Sequence, residues 1–335
     1  MRAIVQDRYG PYREVLAVRE IPRPTAASGQ VLVRVRATSV HADIWHAVNG
    51  IPYVLRLMGS GLRAPKRPVP GTDLAGEVVA ASSGRFAPGD RVFGEVTSSN
   101  QWSNAGTFAE YAAVDESLLA RIPEHLSYEQ AAAVPTAALI ALMSLRDQGR
   151  IRSGQRVLVN GAGGAVGVWT VQLAHVFGAE VTAVDAPTKL DLLTELGAEN
   201  VIDYTRQDFT TLGRRYDIVF DIVSQTPFAQ VRKALEPDGT FVLIGHDQYG
   251  RSGHRVLGSL GRMLPLMAAS PFVKQLPGIR GGHSRDENWA MIVDLLADSS
   301  IHPVVDERVF RLEQAADAMD YLITGVAKGR VVLTV

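Results

Sequence analysis

Residues 157–174 read VLVNGAGGAVGVWTVQLA: a short apolar run, a cluster of glycines, then an apolar helical pattern. This is the signature of a phosphate-binding turn, in which a strand delivers the chain to a helix N-terminus through residues small enough for backbone N–H groups to approach an anion. Such a turn opens a parallel βαβ sheet, yet here it begins near the middle of a chain of 335 residues. A single core seldom grows beyond about 250–300 residues, and roughly 150 residues can fold alone. The sequence ahead of the turn therefore predicts a second domain.

The leading segment has strand character. GQVLVRVRATSV (29–40) alternates apolar and polar side chains, the period of a half-buried strand. LAGEVVAAS (74–82), GDRVFGEV (89–96) and GTFAEYAAVDES (106–117) repeat the pattern around the turn cluster SSGRFAPGD. From 127 the character changes: SYEQAAAVPTAALIALMSLRDQG predicts helix around Pro135, opened by Ser127. QRVLVN, AVGVWTVQLAHVFG, EVTAVD, TKLDLLTELG, NVIDY, YDIVFDIV, PFAQVRKALEPDG and TFVLIG then alternate strand and helix, as a doubly wound parallel sheet does. The expected division is 1–121 for a first domain, 122–265 for the dinucleotide-binding domain, and 266–335 for a segment that returns to the first. In that tail 302–310 reads as a strand, 311–325 as a helix and 329–335 as a closing strand.

Composition narrows the function. A formal net charge of −1 gives no electrostatic reason to expect nucleic acid, and the absence of cysteine removes disulfides, thiolate catalysis and Cys-containing zinc sites. MRAIVQDRYG lacks a secretory apolar core, and no run approaches the roughly 18 apolar residues of a membrane span. The expectation is a soluble cytoplasmic protein.

Within GAGGAVG the pattern Ala162-x-Gly164-x-x-Gly167 lies one alanine from the dinucleotide fingerprint, with Gly161, Gly163, Ala165 and Val166 completing the turn. Asp185 closes EVTAVD about 20 residues on, where a carboxylate reads the adenosine ribose and repels a 2′-phosphate. Taken alone this leans toward NADH, against which stands Lys189, and a strand-end aspartate is also ordinary turn chemistry.

The chain resembles the medium-chain dehydrogenase/reductase superfamily, in its zinc-independent quinone oxidoreductase branch. The resemblance covers nearly the whole chain through GTDLAGEV (71–78), FAPGDRVFG (86–94), GTFAEYAAV (106–114), NGAGGAVG (160–167), LGAENVIDY (196–204) and GRVVLTV (329–335). It implies an α/β protein: a GroES-like β-barrel substrate domain, finished by the C-terminal strands, around a Rossmann doubly wound domain. It further implies hydride transfer from NADH or NADPH to a quinone or an α,β-unsaturated carbonyl, and a homodimer joined at the edge strand near 239–245. Zinc-dependent members carry a His-Glu pair where Thr72 and Asp73 stand, so no catalytic zinc is expected. Two other readings are a nicotinamide-binding sensor or structural protein without turnover, and a zinc alcohol dehydrogenase.

By resemblance SVHADIWHAVNGIPY (39–53) lines the substrate side. His41 stands where the branch has asparagine, Asp43 is slightly displaced from the branch aspartate, and Tyr53 matches a tyrosine near the substrate. His41 is either a proton donor or a histidine satisfied by Asp43 or backbone. On the cofactor side the implied positions are Tyr204, Val223, Ser224, Ile244, Gly245 and His246. The segment 255–276 carries apolar residues with Arg and Lys and no acid. It is open to three readings, a lid, a packed helix or a membrane-surface element, and Pro265 and Pro271 are expected to break it.

Overall fold

In the computed structural model, residues 82–83, 98–102, 246–248, 250–254 and 279–281 are outside the described set; all others are described. The chain divides into two units, Met1–Thr136 with Pro303–Val335, and Ala137–His302. Both divisions fall later than 121 and 265. The helix Tyr128–Ala132, closed by a Ser127/Gln130 capping box, packs on strands of the first unit. The helix Arg285–Ala297 buries Trp289, Ile292 and Leu296 within the second.

The first unit begins with an antiparallel pair, β1 (Arg2–Val5) and β2 (Ala17–Glu20). Strands β3 (Gln30–Val40), β4 (Asp73–Ala81), β5 (Arg91–Glu95), β6 (Tyr111–Asp115) and β7 (Leu119–Arg121) follow. The second unit holds β8 (Arg156–Asn160), β9 (Glu180–Asp185), β10 (Asn200–Asp203), β11 (Tyr216–Asp221) and β12 (Leu235–Leu243). The chain then returns with β13 (Phe310–Arg311) and β14 (Val331–Thr334).

The large sheet of the first unit runs β13-β14-β3-β4-β5-β7, with β6 also paired to β3. The eleven-residue β3 serves three strands, β4 along one edge and β6 then β14 along the other, and its register against β4 shifts at Leu32/Val33 and at Val35/Ala37. Such irregularities bend a strand and tighten its twist, which lets a sheet curl. Its alternate residues Val31, Val33 and Val35 enter a core with Val92, Val114 and Leu119, as the period of two predicts. The C-terminus does complete this unit: Val331–Thr334 pair antiparallel with Ala37–Val40. Residues 302–310 do not form the expected strand. Only a bridge from Val305 to Arg330 and the two residues of β13 pair. Pro303 has no N–H to give, and the Asp306 carboxylate instead accepts the N–H groups of Arg308 (2.9 Å) and Lys328 (2.8 Å), which makes a turn.

The second unit is the doubly wound sheet, all parallel, in the order β10-β9-β8-β11-β12. Its central strands are buried on both faces, hence the unbroken apolar run Val157, Leu158, Val159. The winding reverses between β8 and β11, the place where such sheets bind ligands beyond the strand C-termini. The helix Leu260–Ala269 continues through Pro265 rather than breaking there, and it buries none of its residues. The proline costs one i→i−4 donor. On so exposed a helix, water can serve the carbonyl it leaves.

Candidate functional site

At the end of β8 the chain turns at Gly161, whose φ of 85° suits glycine. Gly161 and Ala162 both donate N–H groups to the Val184 carbonyl, at 3.0 and 3.2 Å, which ties the turn to β9. The tight-turn role therefore falls on Gly161, not on the buried Ala162, and the working spacing is Gly161-x-x-Gly164-x-x-Gly167. Gly164 is the N-cap of the helix Ala165–Val176 and, having no side chain, gives the helix no side-chain cap. A Cβ on Gly167 would stand 2.3 Å from the Gly161 carbonyl oxygen and 2.4 Å from that of Ala162, so only glycine lets the helix approach its strand. A Cβ on Gly164 would meet nothing nearer than 3.6 Å. An uncapped helix end behind an open glycine is a ready anion site, and it fits a dinucleotide pyrophosphate.

Asp185 is nearly buried at the end of β9. Its Oδ2 accepts the Gly163 N–H at 2.7 Å and its Oδ1 accepts the Ala186 N–H at 2.7 Å. The equally buried Lys189 places Nζ 3.7 Å from the same Oδ1. A Cβ on Gly163 would collide with the Lys189 stem, 2.5 Å from Cδ. The phosphate turn is thus backed by an Asp185–Lys189 ion pair. Tyr204 stands beside it with an exposed ring, its N–H donating to the Asp185 carbonyl at 3.3 Å.

The remaining positions expected on the cofactor side lie at the neighbouring strand ends. Val223 packs on the phosphate turn: its Cγ2 is 2.7 Å from where a Cβ on Gly161 would be. Ser224 is left-handed at φ 59°, and Gly245 follows β12 at φ 62°. The Ile244 N–H donates to the Asp221 carbonyl at 3.0 Å. His246 lies outside the described residues. Asp221, the fully buried last residue of β11, is a further site residue, signalled in the sequence only by a carboxylate inside the apolar run YDIVFDIV. Burial pushes its carboxyl above the usual range, against the opposing effect of hydrogen bonds from Ser224 and Asn160.

In the first unit His41 is the N-cap of the helix Ala42–Asn49, which buries Ile44, Trp45 and Val48. Its ring is held on both nitrogens: Nε2 lies 2.9 Å from Thr72 Oγ1 and Nδ1 lies 3.4 Å from Asp43 Oδ2. The structure therefore brings His41, Asp43 and Thr72 together. Tyr53 is 41% exposed, with the Arg56 guanidinium 4.8 Å from its ring centroid. Asp73 has no freedom to bind a metal. Arg330 Nη2 at 3.0 Å and Ser39 Oγ at 2.8 Å occupy Oδ2, and Thr136 Oγ1 occupies Oδ1 at 2.5 Å. Among the described residues no three His, Asp or Glu side chains converge. A buried guanidinium, a hydroxyl and a saturated carboxylate are not a zinc donor set.

The two units define a nucleotide-binding protein with an N-terminal β-barrel-type partner domain, and comparison with known proteins agrees. Residues 27–124 match the family described as alcohol dehydrogenase GroES-like domain, and residues 196–333 the family described as zinc-binding dehydrogenase. Quinone-oxidoreductase QR1 of Triphysaria versicolor, a chloroplastic protein, is 30% identical over 99% of this chain and 98% of its own. The chloroplastic NADPH-dependent alkenal/one oxidoreductase of Arabidopsis thaliana is 31% identical over 99% of this chain and 79% of its own. The solved quinone oxidoreductase of Coxiella burnetii superposes with a TM-score of 0.81 at 27% identity, covering 100% of this chain and 99% of that one. This chain belongs to the medium-chain dehydrogenase/reductase superfamily, in its quinone oxidoreductase branch.

Proposed function

We propose that this protein is an NAD(P)H-dependent reductase of quinones or α,β-unsaturated carbonyls that works without zinc. The observation that carries the reading is the uncapped, glycine-built helix end at Gly164, in a chain similar along its whole length to a quinone oxidoreductase. The cofactor would be held by the N–H groups of Ala165, Val166 and Gly167 and by the rim from Val223 to Gly245, and it supplies a hydride. Quinones and enones accept hydride with less polarisation than a simple ketone requires, so the chemistry does not call for a Lewis acid where Asp73 is spent on Arg330.

His41 is the proton source. Asp43 beside Nδ1 favours the tautomer with hydrogen there, which leaves Nε2 to accept the Thr72 hydroxyl. Protonated, His41 gives a proton to the reduced acceptor through Nε2 or Thr72, with Asp43 stabilising the imidazolium. Tyr53, whose ring is exposed, contributes a phenol to the acceptor.

Asp185 keeps a lone pair on each oxygen for the ribose hydroxyls and opposes a 2′-phosphate, while Lys189 partly offsets that opposition. A modest preference for NADH follows, although one relative is named for NADPH. A homodimer through β12 is part of the reading, but the Phe241 N–H already donates to the Gln275 carbonyl at 2.7 Å, so pairing must use other donors of that edge. Steady-state turnover with both cofactors on 1,4-benzoquinone and an enone, after exhaustive chelation, tests the proposal. Saturable activity undiminished by chelation is expected. Activity that disappears with chelation and returns with zinc would overturn the zinc-free reading, and cofactor binding without turnover on either acceptor would overturn the activity.

A further inference from the structure

Ser224 is one of few non-glycine residues with positive φ among those described, and it lies on the rim assigned above to the cofactor. A left-handed serine is unfavourable unless its surroundings hold it. Two charged side chains do so. From inside the sheet, Asp221 Oδ1 accepts the Ser224 N–H at 3.0 Å and is itself fixed by Asn160 Nδ2 at 2.8 Å. From the exposed helix Leu260–Ala269, the Arg262 guanidinium donates to the Ser224 carbonyl. Asp221 is in register with Asn160 of β8 and with Leu243 of β12, so it sits among three strand ends at the reversal of the winding, its carboxylate tied to Asn160 and its carbonyl to the Ile244 N–H. Among the described residues its Oδ2 has no hydrogen-bond partner. Leaving such an atom buried is costly, and structures retain it where the group serves a function.

The turn so held is also the one its neighbours are shaped to receive. Val223 occupies the space that any side chain on Gly161 would need, and the Ser224 Cβ and Oγ lie 3.0 Å from where a Cβ on Gly245 would be. The phosphate turn and the end of β12 therefore both rest on residues 223–224.

We propose that Asp221 and Arg262 are positioning residues that clamp Ser224 in its left-handed conformation, and that this clamp holds the rim in its cofactor-binding shape. The inference rests on the cofactor reading above and adds two residues that do not themselves touch the cofactor. Through Arg262 the exposed helix closes the clamp from outside. If the turn is populated only in part when a jaw is removed, the apparent Kd for the cofactor rises by the inverse of that fraction.

The test is a double-mutant cycle. Arg262→Met removes the outer jaw from a helix with no buried residue, so folding is not at stake. Its Kd for NADH and NADPH, read by fluorescence titration, should rise about fivefold to thirtyfold, the left-handed cost of a non-glycine residue expressed as an equilibrium ratio. In a Ser224→Gly background, where φ near 60° needs no clamp, Arg262→Met should add almost nothing. Asp221→Ala should behave alike if it folds. Amide exchange at Ser224 in cofactor-free protein should accelerate in Arg262→Met. Equal increases in Kd in both backgrounds, or unchanged Kd and exchange, would overturn the clamp. A wild-type protein that binds neither NADH nor NADPH would instead overturn the cofactor reading, and the exchange measurement would still decide the clamp.

Discussion

Replacing Gly167 with alanine sets two effects of opposite sign against each other. Gly167 lies in the first turn of the helix Ala165–Val176, and helix propensity alone makes alanine the better residue by about 0.8–1.0 kcal/mol. The added methyl, however, would stand 2.3 Å from the Gly161 oxygen, 2.4 Å from the Ala162 oxygen and 2.5 Å from the Ala162 carbonyl carbon. All three atoms are backbone, so no side chain can swing away and the helix or the phosphate turn must shift. Overpacking of this kind costs about 1–3 kcal/mol, and a backbone collision belongs at the upper end. The net loss is about 2 kcal/mol, or roughly 4–8 °C in Tm for a unit of this size. Gly164→Ala is the matched control. Its methyl meets nothing nearer than 3.6 Å, so the cost stays within about 1 kcal/mol for a poorer N-cap. Yet that methyl faces the anion site and should weaken cofactor binding strongly. Circular-dichroism melts without cofactor and fluorescence titration with it separate the two variants. A Gly167→Ala protein that melts at or above the wild-type temperature would refute the packing argument.

Breaking the buried Asp73–Arg330 pair with Arg330→Met leaves a charge uncompensated in the core. It should cost about 3–5 kcal/mol and lower Tm by roughly 6–20 °C, measured by calorimetry. Burial alone would raise the Asp147 carboxyl, but hydrogen bonds from Arg146 and His283 outweigh it and hold the group below its ordinary value. A depressed carboxylate adds stability above its unfolded pKa and loses it as pH falls through the folded value, so Asp147→Asn should flatten the stability profile on the acid side of about pH 4 in chemical unfolding. Asp185→Ser should raise NADPH use relative to NADH, and an unchanged ratio of kcat/KM would remove Asp185 as the discriminator. It should also destabilise the turn, because the Gly163 and Ala186 N–H groups lose their acceptor.

The doubly wound sheet was readable from apolar runs such as Val157, Leu158 and Val159 alternating with helical periods. PFAQVRKALEPDG, however, is helical only over 228–234, and from Leu235 the chain is already β12, whose polar start at 236–238 hides the strand. The C-terminal strand was likewise readable as an apolar run. Residues 302–310 misled because VVDERVF has the composition of a strand, while its pairing depends on where Asp306 sends its carboxylate, a tertiary matter. The fingerprint was visible, but its first position was not. Which small residue takes the positive φ follows from the hydrogen bonds of Gly161 and Ala162 to β9. His41 and Asp43 are close in sequence and meet in space, whereas Thr72 joins them from 31 positions away and no local pattern reveals it. Asp221 and Asp73 were legible as carboxylates among apolar residues. What they hold, Ser224 in one case and the returning Arg330 in the other, lies in the fold.

Hydride transfer is followed by the fate of a deuterium. Chelated protein is given nicotinamide cofactor deuterated at the transferring C4 position, together with an α,β-unsaturated ketone in ordinary water, and the product is analysed by mass spectrometry. One deuterium is expected at the β-carbon and a proton from solvent exchange at the α-carbon, with the rate of product formation reduced in His41→Asn. A product without deuterium, or deuterium transfer that requires added zinc, would contradict it.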